Sequence, residues 1–479
     1  MKLKYLLKGL EGIEVRGSKE IEISGLSSNS RSTAPGHLFL AKKGAVVDGS
    51  QFIEEAIEGG AAAVLHDIYD PFLSKTQIIH AYPAELEAIL ASRYYGHPSQ
   101  ELFVFGVTGT KGKTTTTYLA KHLLDSLKLS SGLIGTVETI AGTNRFFSQL
   151  TTHDPIYNQK LLREMVASGC KAVALEVSSH GLTQGRVDEI DFDVALFTNL
   201  APDHLDYHKT IEEYAAAKKK VFHLLDQSPK HNKRALLNHD NSWTAFMKEG
   251  LQTPVWTFGL EEGADVRATD ISFGAEGTSF RVFFQGNSTL FRSSLIGRFN
   301  VYNLLGAISL GLHLGVSLEE LTGPIETFQT APGRLERVNE QIFIDYAHTG
   351  ESLENVLSTL REITKKRLIV LFGCGGNRDP GRRPAMAKAA EKYADLTIVT
   401  SDNPRGEDPE AICRQILAGF QHPERVYVDL DRRSAIFHAV QSASVGDVVL
   451  IAGKGHERVQ IFAHQTIPFD DAAIAKEAL

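Results

Sequence analysis

Cysteine is scarce in this sequence. The 479 residues include three, Cys170, Cys374 and Cys413. None falls in a Cys-x-x-Cys pair, so neither a disulfide framework nor a cysteine-bound zinc is expected. An excess of basic charge is also lacking. Fifty Lys and Arg stand against 58 Asp and Glu, a formal charge of −8, which argues against nucleic-acid binding through a broad basic surface. No apolar run approaches the roughly 18 residues that suggest a membrane span. The first ten residues start like a secretion signal, but Lys8 and Glu11 interrupt the apolar stretch too early. There is no fixed-period repeat and no low-complexity tract. The expectation is a cytoplasmic chain with no nucleic-acid partner and no membrane insertion, and a monomer is expected although nothing in the composition speaks to oligomeric state.

What is present is a globular mixture, 42% hydrophobic and 23% charged, long enough for about three domains. Residues 1–98 read as short strands and turns with some helix. Strands are expected at Ile21 to Leu26, Leu38 to Leu40 and Ala61 to Leu65, and a helix at Phe52 to Ile57. His97-Pro98 marks a boundary. From 99 to 330, buried-type strands (Leu102–Phe105, Ala172–Leu175, Val194–Phe197, Ala235–Leu237) alternate with helices. That order predicts a mainly parallel sheet covered on both faces. From 331 to 479 the pattern restarts at Ile342–Ile344, Leu368–Phe372, Leu396–Val399, Val426–Val428 and Val448–Ile451. The expected fold class is α/β in three domains: an N-terminal one, a central P-loop-type sheet, and a C-terminal Rossmann-like doubly wound sheet. Ligands in such sheets sit at the carboxyl ends of strands, so the residues just after each strand are the candidates.

The strongest local signal is Gly106-Val-Thr-Gly109-Thr110-Lys111-Gly112-Lys113-Thr114-Thr115, between a strand and a helix expected from about Thr114 to Leu127. Small residues let backbone N–H groups wrap a phosphate, and the helix N-terminus adds partial positive charge. Lys113 supplies a formal charge to β/γ oxygens, and the Thr114 hydroxyl is placed to ligate Mg²⁺. Val107 stands where the strict P-loop pattern has its first glycine. The plain alternative is a glycine-rich turn before a helix. This variant loop resembles the ATP loop of Mur ligases and folylpolyglutamate synthetases, which use ATP to activate a carboxylate and then condense it with an amine.

Two further segments follow strands in the same region. Glu176 begins Glu-Val-Ser-Ser-His, and Thr198-Asn-Leu-Ala-Pro-Asp203-His204-Leu-Asp-Tyr-His208 follows Val194–Phe197. Carboxylates and imidazole beside phosphate oxygens suit Mg²⁺, although an isolated Glu at a strand end is usually solvated. With Tyr214-Ala-Ala-Ala-Lys218, these segments are similar to the Mur ligase central domain. The resemblance implies Mg²⁺ at Glu176 and His204. It also implies that Lys218 is the lysine that members carry as a carbamate, acting with Lys113 and His204 in catalysis. Otherwise Lys218, Lys219 and Lys220 would read as a solvated helical face. Thr151, Thr152, Ser178 and Arg186 resemble the residues that hold a UDP-muramoyl-dipeptide. His153 stands where the family usually has proline.

In the remaining chain Asn303, Arg334 and Asp345 resemble the family's nucleotide contacts. Asp345 ends a strand, and a helix N-cap is its plain alternative. Asp402-Asn403-Pro404-Arg405 resembles the motif with which diaminopimelate-adding members recognise their amino acid. The physics agrees, because the far end of diaminopimelate bears an ammonium and a carboxylate, and a guanidinium grips a carboxylate bidentately. Arg378 would add carboxylate binding. Gly453 and Glu457, in Gly-Lys-Gly-His-Glu, would line the same site, with Glu457 accepting the ammonium. Taken alone, Asn-Pro is a turn signal. Asn29-Ser30-Arg31 and the turns that follow resemble the uridine-binding domain, with Ser30 in its pocket.

The resemblance runs over essentially the whole chain. It implies UDP-N-acetylmuramoyl-L-alanyl-D-glutamate and meso-2,6-diaminopimelate as substrates, with ATP and Mg²⁺. Rival readings are a lysine-adding sister ligase, a folylpolyglutamate synthetase, or a nucleotide-binding switch without ligase chemistry.

Overall fold

A computed structural model of the chain describes residues 1–44, 47–274 and 276–479. Contacts divide it into two units, one of residues 1–113 with 124–256, the other of 114–123 with 257–479. No helix among the described residues is long and apolar enough to cross a membrane.

The first unit holds two sheets. The N-terminal one runs in the order Glu14–Arg16, Thr76–Ile79, Ala63–His66, His37–Leu40 and Gly25–Ser27, parallel except for its first strand. The expected strand at Ile21 to Leu26 is shorter and later. Backbone groups of Ile21 and Ile23 are taken by Leu3 and Met1 instead, so only Gly25–Ser27 joins the sheet. The apolar residues of the signal-like start have a structural use: Leu3 and Leu6 lie in this core.

The second sheet of this unit places Arg234–Asn238, Val194–Phe197, Phe103–Thr108, Ala172–Glu176 and Ser131–Ile134 side by side in parallel. Val194–Phe197 and Ala172–Glu176 are buried at every position. That is the pattern of strands covered on both faces, and it explains their unbroken apolar sequences. An antiparallel hairpin, Glu138–Ala141 with Asn144–Phe147, extends the edge.

In the second unit six strands run in the order Glu336–Arg337, Ile342–Asp345, Val448–Ala452, Leu368–Phe372, Leu396–Val399 and Val426–Val428, parallel after the first pair. Helices cover both faces through two separate cores, as the doubly wound reading expects. A meander, Val266–Gly274, Gly277–Phe284 and Asn287–Ser293, precedes the buried helix Arg298–His313. Arg432 and Asp471 form a fully buried ion pair at 2.6 Å that ties helix Asp471–Glu477 to helix Arg432–Gln441.

Helix Gly350–Ile363 starts with a capping box, in which the Thr349 hydroxyl accepts from Ser352 N and Ser352 Oγ accepts from Thr349 N. Thr349→Ala is expected to lower stability by about 1 kcal/mol. Thermal unfolding checks this, and an unchanged midpoint would remove the cap from the account.

Candidate active site

The phosphate-loop segment lies where strand Phe103–Thr108 ends and helix Lys113–Ser126 begins. Gly109 has φ +144°, and a Cβ there would stand 1.9 Å from Thr198 Oγ1. Only glycine fits. The loop is laced to the next strand's end. Thr110 N donates to Asn199 O at 2.8 Å, Lys111 N to Asn199 Oδ1 at 3.0 Å, and Ala201 N to Thr110 Oγ1 at 3.1 Å. Lys111 pairs with Asp203 at 3.3 Å. Lys113 Nζ lies over its own loop, donating to Gly109 O (2.8 Å) and Thr110 O (3.0 Å).

Lys218 is 1% exposed and donates to Gly109 O at 2.7 Å, with its Nζ 4.5 Å from the Tyr214 ring centroid. The solvated-face reading of the lysine run therefore fails at Lys218 and holds at Lys220, which is exposed. Burial pushes the Lys218 amine well below the usual lysine range. Lys113 and Lys111 push the same way, and Asp203 opposes them.

Glu176 is fully buried at the end of its strand, which removes the solvated-loop alternative. It accepts from Thr136 N and Thr136 Oγ1, both at 2.9 Å. Around it gather the residues expected to hold the UDP-linked substrate. Thr152 Oγ1 donates to Glu176 O and accepts from Ser178 N. The Thr151 and Thr136 hydroxyls are 3.0 Å apart, and Arg186 Nη1 donates to Thr152 O at 2.8 Å. His153 packs its ring edge-on to Tyr157 at 4.8 Å. His204 lies 5.0 Å from the His180 ring, and burial lowers its pKa below the ordinary imidazole value, favouring the neutral form. Among the described residues no three His, Cys, Asp or Glu side chains converge into a metal cage. Ser30 is in a separate place, the short turn Ser30–Ser32 of the N-terminal sheet region, where it donates to Glu55 at 2.6 Å.

In the second unit, Asn303 Oδ1 accepts from Thr116 Oγ1 at 3.3 Å, and its amide nitrogen donates to Asn300 at 2.9 Å. Arg334 stacks over Tyr346 with 4.8 Å to the centroid, and Arg334 Nη2 reaches Thr114 Oγ1 at 3.4 Å. Its buried Nε has no hydrogen-bond partner among the described residues. Asp345 caps no helix. It accepts from Leu335 N and Ala347 N, both at 2.7 Å, and the cap of the next helix is Thr349. Burial pushes the Asp345 carboxyl up to about 6, against the pull of Arg334 and the two N–H groups.

The amino-acid motif folds into one cavity of about 130 Å³ at the carboxyl ends of Leu368–Phe372, Leu396–Val399 and Val448–Ala452. Arg378, Asp402, Asn403, Arg405, Gly453 and Glu457 all line it. Pro404 is beside it, its carbonyl so close to Gly376 that a Cβ there would lie 1.9 Å away. Arg405 is half-buried and donates to Gly376 O at 3.0 Å. Gly453 has φ +109°, and a Cβ would meet Asp402 Oδ2 at 2.7 Å, so the position keeps the carboxylate approachable. Buried Arg383 supports the two loops from beneath through Glu407, which also takes Asn377 N. Sequence reasoning did not assign Tyr346, His348, Asp379 or Arg382 to this lining; Tyr346 adjoins Asp345 and Asp379 adjoins Arg378, whereas Arg382 opens the next helix. A larger groove of about 630 Å³ lies at the starts of strands Leu396–Val399 and Val426–Val428 and holds none of the expected residues.

Family models match this chain in three places: "Mur ligase family, catalytic domain" over residues 22–93, "Mur ligase middle domain" over 107–311, and "Mur ligase, glutamate ligase domain" over 333–455. A curated relative from Chlamydia pneumoniae is 44% identical over 485 residues, covering 100% of this chain and 99% of its own. The chain belongs to the Mur ligase family. That relative bears the name UDP-N-acetylmuramoyl-L-alanyl-D-glutamate–2,6-diaminopimelate ligase, as does one from Geobacillus kaustophilus at 43% identity over 487 residues, covering 100% of this chain and 99% of its own. A solved structure of the same name superposes with a TM-score of 0.71 at 32% identity, covering 100% of this Mur ligase and 98% of that chain. The MurF ligase from Thermotoga maritima in complex with ADP, at 19% identity and TM-score 0.62, covers 89% of this chain and 93% of its own and shares the fold.

Proposed function

We propose that this Mur ligase adds meso-2,6-diaminopimelate to the D-glutamate side-chain carboxylate of UDP-N-acetylmuramoyl-L-alanyl-D-glutamate, at the expense of ATP, in cytoplasmic peptidoglycan precursor synthesis. The observation that carries this reading is the cavity lined by Arg378 and Arg405 together with Asp402, Asn403 and Glu457. Two guanidiniums and a carboxylate–amide group match a substrate end bearing both a carboxylate and an ammonium. A lysine side chain would leave the guanidiniums unmatched.

The chemistry balances in two steps. The γ-phosphoryl group passes from ATP to the glutamate carboxylate, so one P–O bond breaks as another forms, leaving ADP and an acyl phosphate. A neutral amine of diaminopimelate then attacks the acyl carbon. The C–N bond forms, the C–O bond to phosphate breaks, and the amine proton passes to a base. Lys113 offsets charge on the transferred group. Thr110, Lys111, Gly112 and Thr115 hold phosphate oxygens through the loop. Thr151, Thr152, Ser178 and Arg186 orient the peptidyl substrate, and Ser30 contacts its uridine. In this reading residues 1–98 serve the UDP end, 99–330 the ATP chemistry and 331–479 the amino acid.

The donor chemistry around the phosphate loop fits Mg²⁺. Glu176 offers a carboxylate, burial favours the neutral imidazole of His204, and the Lys218 amine is pushed toward its uncharged form, the form that adds carbon dioxide. A bound Mg²⁺ would neutralise phosphate charge, and this ion ordinarily takes few protein ligands beside phosphate and water.

Asp345 is assigned to the ATP ribose hydroxyls, where it works as a carboxylate acceptor. It is ionised above about 6 and protonated below, so ATP affinity should weaken as pH falls through that value. Asp345→Asn should lack this limb. A wild-type KM for ATP that stays flat through the same range would contradict the role.

The reading as a whole is tested by phosphate release from ATP with each component omitted in turn. Turnover is expected only with the UDP-linked substrate and diaminopimelate both present. Equal release without the amino acid would overturn the coupled mechanism.

A further inference from the structure

Behind the amino-acid cavity stands a buried charged side chain with no role in the reading so far, Lys454. Lys454 is 0% exposed. Its Nζ donates to Asn403 Oδ1 at 2.9 Å and to Glu457 Oε2 at 3.2 Å. The Asn403 amide can be oriented in only one way. Ile461 N–H, a backbone donor, lies 3.0 Å from the same Oδ1, so that atom must be the oxygen. The amide nitrogen is thereby turned onto Glu457 Oε2, at 2.6 Å. Both donors fall on one oxygen of Glu457, which leaves Oε1 for a ligand.

A buried ammonium in this position has two consequences. It fixes the rotamer of Glu457, the residue assigned to the substrate ammonium, and of Asn403 beside it. It also adds a positive charge beside a lining whose own charges balance, Arg378, Arg382 and Arg405 against Asp379, Asp402 and Glu457, so the cavity presents no surplus of negative charge to an incoming amino acid. A side chain ending in a lone ammonium, such as lysine, gains most from surplus negative charge. A zwitterionic end is best matched when the negative groups are already partly balanced and the guanidiniums remain for its carboxylate.

We propose that Lys454 is a positioning and specificity residue, which holds Asn403 and Glu457 in register and biases the cavity toward an amino acid with a zwitterionic far end over one with an ammonium alone. The inference rests on the diaminopimelate reading above.

The test compares wild type with Lys454→Met, Lys454→Gln and Lys454→Arg, using meso-diaminopimelate and L-lysine as separate acceptors. Loss of a charge-assisted network should raise the KM for diaminopimelate in Lys454→Met by about tenfold or more. The KM values for ATP and for the UDP-linked substrate should stay unchanged. The diaminopimelate-to-lysine ratio of kcat/KM should fall. Lys454→Gln keeps donor hydrogens without charge, so it should recover part of the KM but not the ratio, whereas Lys454→Arg should recover part of both. An unchanged KM for diaminopimelate would overturn the proposal. So would an unchanged selectivity ratio with every kinetic constant and the thermal midpoint falling together, which marks a structural role alone. Failure of both uncharged variants to fold would count the same way. A wild-type enzyme that used lysine and not diaminopimelate would instead overturn the underlying function, an outcome read before any variant is made.

Discussion

Lys113→Ala is expected to abolish useful turnover, lowering kcat by about 10³-fold or more, the scale on which single cations act in phosphoryl transfer. Its ammonium is the formal charge that closes the loop, held between the carbonyls of Gly109 and Thr110 at 2.8 and 3.0 Å. Phosphoryl transfer leaves little covalent work for the protein, so charge placed beside the transferred group carries most of the catalysis. The loop itself should survive the change. Its shape is fixed by Gly109 against Thr198 and by hydrogen bonds from Thr110 and Lys111 to Asn199. Phosphate release under saturating substrates reads the loss, and circular dichroism reads the fold. A variant within tenfold of wild type would place the phosphoryl chemistry elsewhere.

The second large effect is expected at Arg405. Arg405→Ala should lower kcat/KM for diaminopimelate by about 2–5 kcal/mol in transition-state terms, roughly thirtyfold to several thousandfold, because it strands the substrate carboxylate in a desolvated site. Much of the loss should be in KM for the amino acid, with KM for ATP unchanged. L-Lysine, which has no carboxylate at its far end to strand, should be used no worse than by wild type. The backbone at Arg405, with φ +52° and its N–H on Ile461 O at 3.0 Å, aims the residue, so Arg405→Lys should recover only part of the activity: a point charge replaces a planar fork. Equal losses for both amino acids would turn Arg405 into a loop-stabilising residue and remove the specificity argument.

Much of this was readable before any coordinates. Val194–Phe197 and Leu368–Phe372 begin and end where their apolar runs do, because strands buried on both faces must be apolar throughout. The meander from Val266 to Ser293 escaped notice for the opposite reason. One of its faces is exposed, and Val266–Gly274 is buried only at Val266 and Ala268 and beyond them alternates partly and fully exposed positions, which leaves no continuous run to find. The motif residues of the cavity could be picked out because each lies in the loop that follows a parallel strand. Lys218 and Lys454 show the limit. In sequence Lys218 looks like a solvated cation, and Lys454 stands unremarked within Gly-Lys-Gly-His-Glu. Each is buried because of a partner far along the chain, Gly109 for Lys218 and Asn403 for Lys454, and no local pattern carries that information.

The most direct measurement is the mass of the product formed when ATP, the UDP-linked dipeptide and equal amounts of meso-diaminopimelate and L-lysine are supplied together. The account predicts a diaminopimelate tripeptide nearly free of the lysine product, since a site built for a polar group rejects an analogue lacking it by about 10⁴-fold. A lysine tripeptide as the main product would contradict it.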